Sequence, residues 1–282
     1  MPELPEVETV RRGLNQVTLG QEIQGGDVLL ARTVAHPFSV AEFLEQLKNV
    51  TISGWHRRGK YLLAELSRSD TSEAGWLGVH LRMTGQLLWL KQDEPLQKHT
   101  RVRLFFPDNC ELRFVDQRTF GQMWWVPPSE APESIITGLK RLGPDPFSAD
   151  FSVEYLVQKL QNRQRSIKTA LLDQELVAGV GNIYADEALF LSGIRPETLC
   201  ATLKLEQIER LRTSLIEVLQ ASIEAGGTTF SNFLSVMGIN GSYSGVAWVY
   251  GRTGEPCRVC KSAIGRVKLA GRSSHFCPQC QH

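Results

Sequence analysis

Two Cys-x2-Cys pairs near the C-terminus, Cys257–Cys260 and Cys277–Cys280, are separated by sixteen residues. This spacing constrains the chain more than any other feature. Two residues between cysteines let both thiolates of a tight turn face one ion. A hairpin between the pairs then brings the second turn round to complete a tetrahedron. The expectation is a zinc ribbon holding one structural Zn2+ per chain, because four protein ligands leave no open position for chemistry. Cys110 and Cys200 stand alone and read as ordinary buried cysteines. His275 and His282 lie nearby but are not needed as ligands.

The opening residues Met1-Pro2-Glu3-Leu4-Pro5-Glu6 are acidic and contain no apolar run. The expectation is a chain without a secretory signal, in a reducing cytoplasmic setting where cysteines favour metal over disulfides. No apolar stretch approaches the roughly 18 residues of a membrane span. With 282 residues, 42% of them hydrophobic, the chain can build two domains with real cores. A net charge of +1 announces no partner. Its distribution says more: residues 251–272 carry Arg252, Arg258, Lys261, Arg266, Lys268 and Arg272 against Glu255, leaving +5. Such a patch suits phosphates, though a solvated basic surface reads the same way when it stands alone.

Leu4, Val7, Val10 and Leu14 form an apolar stripe at helical spacing, which predicts a helix over 3–14 with its acidic residues at the positive end. Period-two patterns then predict strands at Val50–His56, Tyr61–Leu66, Trp76–Leu81, Gln86–Leu90, Arg101–Phe106, Glu111–Val115 and Gln122–Val126. The Arg57-Arg58-Gly59-Lys60 stretch reads as a hairpin tip, and one helix near Ala41–Lys48 interrupts the series. Pro127-Pro128 and Gly143-Pro144-Asp145-Pro146 mark a boundary. Helices are expected at 152–161, 166–176, 181–191 and 204–224, the last ending at Gly226-Gly227. The fold class is therefore α+β. It comprises an N-terminal β-sandwich over 1–135, a helical domain over 150–230, a loop and connector over 231–250, and the ribbon over 251–282.

No Ser-His-Asp set, phosphate-binding glycine loop or carboxylate-rich metal site is visible. The amino terminus is the odd feature. Removal of Met1 would expose the Pro2 secondary amine at the start of a helix, whose dipole disfavours protonation. A secondary amine can attack a carbonyl-like carbon, with Glu3 beside it for proton transfer.

Taken together, these residues resemble the formamidopyrimidine-DNA glycosylase family. The likeness begins at Pro2-Glu3-Leu4-Pro5-Glu6-Val7-Glu8 and continues through Arg58-Gly59-Lys60-Tyr61, His80-Leu81-Arg82-Met83-Thr84-Gly85 and Asp116-Gln117-Arg118-Thr119-Phe120-Gly121. It ends with Gly179-Val180-Gly181-Asn182-Ile183-Tyr184-Ala185 and the ribbon, in family order across essentially the whole chain. The resemblance implies a base-excision repair enzyme acting on double-stranded DNA with oxidised purines or abasic sites, a monomer, located in a bacterial-type cytoplasm. It implies that Pro2 is the nucleophile, Glu3 the acid for sugar ring opening, and Lys60 the proton donor in β-elimination. Arg272 is implied to grip the phosphate in δ-elimination.

The same resemblance makes 179–182 the turn of a helix-two-turn-helix motif, with Asn182 at a helix N-terminus suited to a phosphate. His99, Arg163 and Lys168 fall where the family contacts DNA; by themselves they read as exposed polar residues. Met83, Arg118 and Phe120 match the trio that fills the gap left by an extruded nucleotide. Extrusion costs a few kcal/mol of unstacking, and apolar wedges offset part of it. Without the resemblance, Met83 and Phe120 would read as core.

Two departures bear on lesion preference. Arg82 stands where many relatives have glycine, and the loop Ser235–Gly245 is idiosyncratic. Two rivals follow: an endonuclease VIII-type enzyme for oxidised pyrimidines, and a DNA-binding protein without catalysis. Leu4 and the Arg118/Phe120 pair favour the purine enzyme, and Pro2, Glu3 and Lys60 favour catalysis.

Overall fold

Residues Thr100–Phe106 alternate buried and half-buried side chains one by one, as a strand with one face in a core must. The same logic, with β-branched and aromatic residues, builds most of the N-terminal half. The computed structural model describes residues 1–69, 72–228 and 234–282. They fall into two units: Met1–Lys140 with Gly226–Ser242, and Arg141–Ala225 with Tyr243–His282. Residues 229–233, at the predicted junction of helical domain and connector, lie outside the described residues.

In the first unit the strands are β1 (Glu22–Ile23), β2 (Gly25–Val28), β3 (Val34–His36), β4 (Val50–Arg58), β5 (Tyr61–Ser67), β6 (Glu73–His80), β7 (Gly85–Lys91), β8 (Thr100–Phe106), β9 (Cys110–Asp116) and β10 (Gln122–Val126). Helix α1 (Leu4–Thr18) precedes them, α2 (Val40–Leu47) follows β3, and two short helices, α3 (Pro132–Ile135) and α4 (Thr137–Lys140), follow β10. A six-stranded sheet runs β1-β4-β5-β6-β10-β3, and a four-stranded sheet runs β2-β8-β9-β7. All pairs are antiparallel except β10 with β3. One core joins both sheets and α1, through Val7, Val10, Leu14, Trp55, Leu62, Leu104 and Phe114. This is the expected sandwich. The sequence pattern does not predict β1, β2, β3, α3 or α4, because two to four residues carry too little periodicity to register.

Helix α1 runs four residues beyond the expected Leu14 end, to Thr18. Polar contacts to β4 explain the extension. Asn15 Oδ1 accepts from the Trp55 N–H at 2.8 Å, and the Thr18 hydroxyl accepts from the Trp55 indole N–H at 2.9 Å. Two turns before Asn15, Glu8 accepts from Arg11, Arg12 and Arg57 at 2.8, 2.9 and 3.1 Å. The residues 226–242 return to this unit through the Val236 carbonyl, which accepts from the Trp89 N–H at 2.9 Å.

In the second unit the helices are α5 (Val153–Leu160), α6 (Ile167–Leu171), α7 (Asn182–Leu191) and α8 (Leu205–Glu224), followed by the hairpin strands β11 (Gly265–Leu269) and β12 (Arg272–Phe276). Buried Ile208, Leu211, Leu215, Val218, Leu219 and Ile223 give α8 the apolar stripe of an amphipathic helix. The helix expected over 166–176 stops at Leu171. Gln174 ends it: its side chain donates to the Leu172 and Val180 carbonyls at 3.2 and 2.8 Å and accepts from the Gly179 N–H at 2.9 Å. Among the described residues no helix is long and apolar enough to cross a membrane.

Hydrogen bonds and arginine charges hold the Glu8 carboxyl down at about 2, against the opposing effect of burial. A depressed carboxyl contributes stability above its unfolded value of 4.5, and that stability is lost as pH falls towards 2. Glu8→Gln is therefore expected to cost roughly 1–3 kcal/mol at pH 7. Urea titrations should show the two proteins converging as pH falls through that window. A pH-independent difference would mean that shape, not charge, carries the effect.

Candidate active site

Helix α1 begins at Leu4 with Glu3 in extended conformation as its N-cap. Pro2 and Glu3 are both buried, so the chain enters its first helix from inside the first unit. Glu6, one turn in and also buried, accepts from the Glu3 N–H at 2.8 Å and from the Thr228 N–H at 2.9 Å. This satisfies one of the orphan donors of the helix start and pins the terminus to the returning segment. Burial pulls the Met1 ammonium below its ordinary value, outweighing the nearby Glu3 and Glu6 carboxylates. Lys60 and Arg118 act on it in the same direction as burial. The terminus therefore gathers Glu3, Lys60 and Arg118 around a chain-end nitrogen with a raised neutral fraction. Burial, not the helix dipole expected from the sequence, is the leading cause of that fraction.

Lys60 occupies the second position of the two-residue β4–β5 turn, after Gly59 at φ 57°. It is not a solvated tip lysine, being only 6% exposed. His80, at the end of β6, meets Tyr61 edge-on at 4.4 Å. Burial, then Arg82 and Lys60, hold its imidazole at about 3, so it is neutral at neutral pH. Its Nδ1 accepts from the Arg82 N–H at 2.9 Å, which leaves the proton on Nε2.

Met83 and Phe120 are not core residues: they are 36% and 53% exposed. Arg118 is exposed beside them, its guanidinium 5.0 Å from the Phe120 ring centre. Met83 and Phe120 line a cavity of about 510 Å³ with Met1, Arg32, Arg82 and Gln122. His99 lines a smaller one of about 170 Å³ with Thr84, Gln86 and Gln117. Sequence reasoning misses Asp116 here. Its buried carboxylate accepts from the Thr84 hydroxyl and from the backbone N–H groups of Arg118 and Gly121.

In the second unit the two-turn segment between α6 and α7 carries Gly179 at φ 90°, a value that favours glycine. One expectation needs correction, that for Lys168. Asn182 is the first residue of α7, after the Gly181 cap. Its side-chain amide donates to the Ser273 carbonyl of β12 at 3.0 Å. Lys168 is not exposed: it is fully buried and donates to Asp186 at 2.6 Å and to the Asn182 carbonyl at 2.7 Å. A buried carboxylate outcompetes water for that ammonium. Arg163 stays half-buried, 3.5 Å from Asp173, which pairs with Arg165 at 2.6 Å.

The ribbon brings the sulfur atoms of Cys257, Cys260, Cys277 and Cys280 within 4.8 Å of one another. A tetrahedron with zinc–sulfur bonds of about 2.3 Å needs sulfurs about 3.8 Å apart. The Cys257–Cys280 pair is at 3.9 Å and the Cys260–Cys277 pair at 3.3 Å, so the four thiols fit one ion. The backbone N–H groups of Val259 and Cys280 point at the Cys257 and Cys277 sulfurs, each at 3.4 Å. Ala270 and Gly271, at φ 45° and 79°, turn the hairpin and present exposed Arg272 as the first residue of β12. Asp186 accepts from the His275 N–H at 2.9 Å, so α7 grips β12 at Ser273 and His275, on either side of buried Ser274.

Comparison with known proteins covers all three regions. Residues 1–123 match the formamidopyrimidine-DNA glycosylase N-terminal domain, 142–233 the formamidopyrimidine-DNA glycosylase H2TH domain, and 254–282 the zinc finger found in FPG and IleRS. A formamidopyrimidine-DNA glycosylase from a Nostoc species is 72% identical over 282 residues, covering 100% of both chains. The wild-type Lactococcus lactis Fpg, solved with DNA containing N7-benzyl-Fapy-dG, superposes with a TM-score of 0.89 at 38% identity, covering 99% of each chain. The Lactococcus lactis Fpg in complex with DNA containing an abasic site gives 0.89 at 37% identity, again over 99% of each chain.

The four-cysteine cluster is thus a structural zinc site. Cys280→Ser should release the metal and unfold the hairpin, read as zinc content and as proteolysis at 265–276. Arg272→Ala should retain about one zinc per chain. Loss of zinc in the arginine variant would make Arg272 a folding residue instead.

Proposed function

The chain belongs to the formamidopyrimidine-DNA glycosylase family, as a DNA glycosylase of base-excision repair, and we propose that it excises oxidised purines through a Schiff base on Pro2. The observation that carries this reading is the start of the chain, where Pro2 and Glu3 are buried and partial burial biases the Met1 amine towards its neutral form, with Glu3 and Lys60 acting on it. Removal of Met1 moves the α-amine onto Pro2, deeper in the unit. The amine lone pair attacks C1′ of the damaged nucleotide, the base leaves, and the ring-opened sugar remains as an iminium. Glu3 supplies the proton that opens the sugar ring, and Lys60 donates in the β-elimination that follows.

The substrates we propose are 8-oxoguanine and formamidopyrimidines in double-stranded DNA, and the abasic sites left by their removal. Met83, Arg118 and Phe120 fill the space of the extruded nucleotide. The exposure of Met83 and Phe120 supports this, since apolar side chains of this size are otherwise expected in a core. Arg272 grips a backbone phosphate for δ-elimination, and its place at an exposed, braced hairpin end supports that role. His99, Arg163 and Asn182 are proposed phosphate or sugar contacts. For Lys168 the role is indirect, since its ammonium faces Asp186 and holds the start of α7.

The division of labour we propose is a catalytic sandwich over 1–135, a DNA-gripping helical domain over 150–230, a lesion-recognition connector over 231–250 and a scaffolding ribbon over 251–282. The zinc supplies no chemical step; it fixes the hairpin. The protein acts as a monomer in the cytoplasm.

Borohydride reduction during turnover on an 8-oxoguanine duplex tests the mechanism. The expected result is a covalent protein–DNA adduct whose mass maps to Pro2, in protein lacking Met1. Correctly processed protein that cleaves but gives no adduct would sink the mechanism. Parallel duplexes with thymine glycol should be excised more slowly, and faster excision would favour the pyrimidine enzyme. Arg272→Ala should leave base release largely intact while strand cleavage falls on the order of tenfold or more, the loss of one charge-assisted contact.

A further inference from the structure

Asp116 ends β9 as a carboxylate 1% exposed, and the reaction above gives it no part. Its Oδ1 accepts from the Thr84 hydroxyl and from the Arg118 N–H at 3.2 Å, and its Oδ2 accepts from the Gly121 N–H at 2.7 Å. The Thr84 hydroxyl also accepts from the Arg118 N–H, at 2.9 Å. Thus one carboxylate and one hydroxyl tie together two loops that are 34 residues apart in sequence. The first loop carries Met83, and the second carries Arg118 and Phe120.

Both loops need such a tie. Arg82 and Thr119, next to the wedge residues, lie at φ 52° and 59°, where side-chain-bearing residues are rare and a β-branched one rarer still. Conformations like these persist only where surrounding contacts over-determine them. The second loop also passes tightly over the carboxylate: a Cβ at Gly121 would meet Phe114 Cζ at 2.4 Å and Asp116 Oδ2 at 3.0 Å. Asp116 itself cannot drift, since its N–H donates to the His99 carbonyl at 2.9 Å and its carbonyl accepts from Arg101 Nε at 2.8 Å.

We infer that Asp116, together with Thr84, is a positioning residue that presets the loops bearing Met83, Arg118 and Phe120 for insertion into the duplex. It thereby governs nucleotide extrusion and not bond breaking. The inference rests on the reading of those three residues as the wedge. Loops held in their inserted shape lose their freedom at folding, so insertion does not have to order them again. An ionised carboxylate suits the place because all its partners are donors. An amide would turn an NH2 group towards one of them.

The contribution should depend on the substrate. A base-paired lesion must be unstacked and unpaired, whereas a nucleotide already without its base needs little of either. Single-turnover rates are compared on a duplex with 8-oxoguanine opposite cytosine and on one with a preformed abasic site. Asp116→Asn is expected to slow excision of the paired lesion on the order of tenfold, while abasic-site cleavage changes less than about threefold. 2-Aminopurine beside the lesion should report slower extrusion in the variant. Thr84→Val should show the same selectivity to a smaller degree, and it carries the test if Asp116→Asn does not fold. Phe120→Ala is the control for the wedge reading. If it excises the lesion at the parental rate, the wedge reading fails. If it is slowed but the folded Asp116 and Thr84 variants match the parent, or lose both activities in proportion, the inference is overturned.

Discussion

A single buried carboxylate, Glu6, holds down the beginning of the chain. It accepts from Glu3 one turn back and from Thr228 in the returning segment 226–242. Chain ends normally fray, because nothing compensates the entropy of ordering them. Here the two bonds, with the Leu4–Val7–Val10 stripe of α1 beneath them, keep Pro2 and Glu3 buried. Burial then does the electrostatic work: at the adjoining Met1 ammonium it outweighs the carboxylates of Glu3 and Glu6. The chemistry proposed for Pro2 depends on that order of effects.

The same device recurs. Asp186 and Glu187 are consecutive, fully buried acids on α7. Asp186 takes Lys168 on one oxygen and the His275 N–H on the other, which joins α6, α7 and β12. Glu187 accepts from the Trp248, Val249 and Tyr250 N–H groups at 2.7, 2.9 and 2.8 Å, fixing the chain just before the ribbon. Burial still raises the Glu187 carboxyl above its ordinary value, with those backbone donors opposing it. Asp116 likewise joins the loops that carry Met83, Arg118 and Phe120. In each case a desolvated carboxylate is kept because several donors converge on it.

Periodicity made much of this legible. The alternation along Thr100–Phe106 and the i, i+3 stripe of α1 are local signals, and they predict the sandwich and its first helix closely. The cysteine spacing predicts the metal cluster for the same reason. What the sequence hid depends on partners far along the chain. Lys168 reads as an exposed cation because nothing nearby in sequence announces Asp186, and the bond from Asn182 to Ser273 goes unseen because the two lie 91 residues apart. Helix α6 ends early through the Gln174 side chain, not through a glycine or proline. Asp116 sits in a motif that the family resemblance highlights, yet its role emerges only when its three donors are seen together.

The central claim is that burial at the head of α1 biases the terminal amine towards its neutral, nucleophilic form. An NMR pH titration of that amine in the mature protein, native and in urea, measures this directly. The account predicts a lower midpoint in the native protein than in the unfolded chain. An equal or higher native midpoint would show that the carboxylates of Glu3 and Glu6 win over desolvation, and would contradict it.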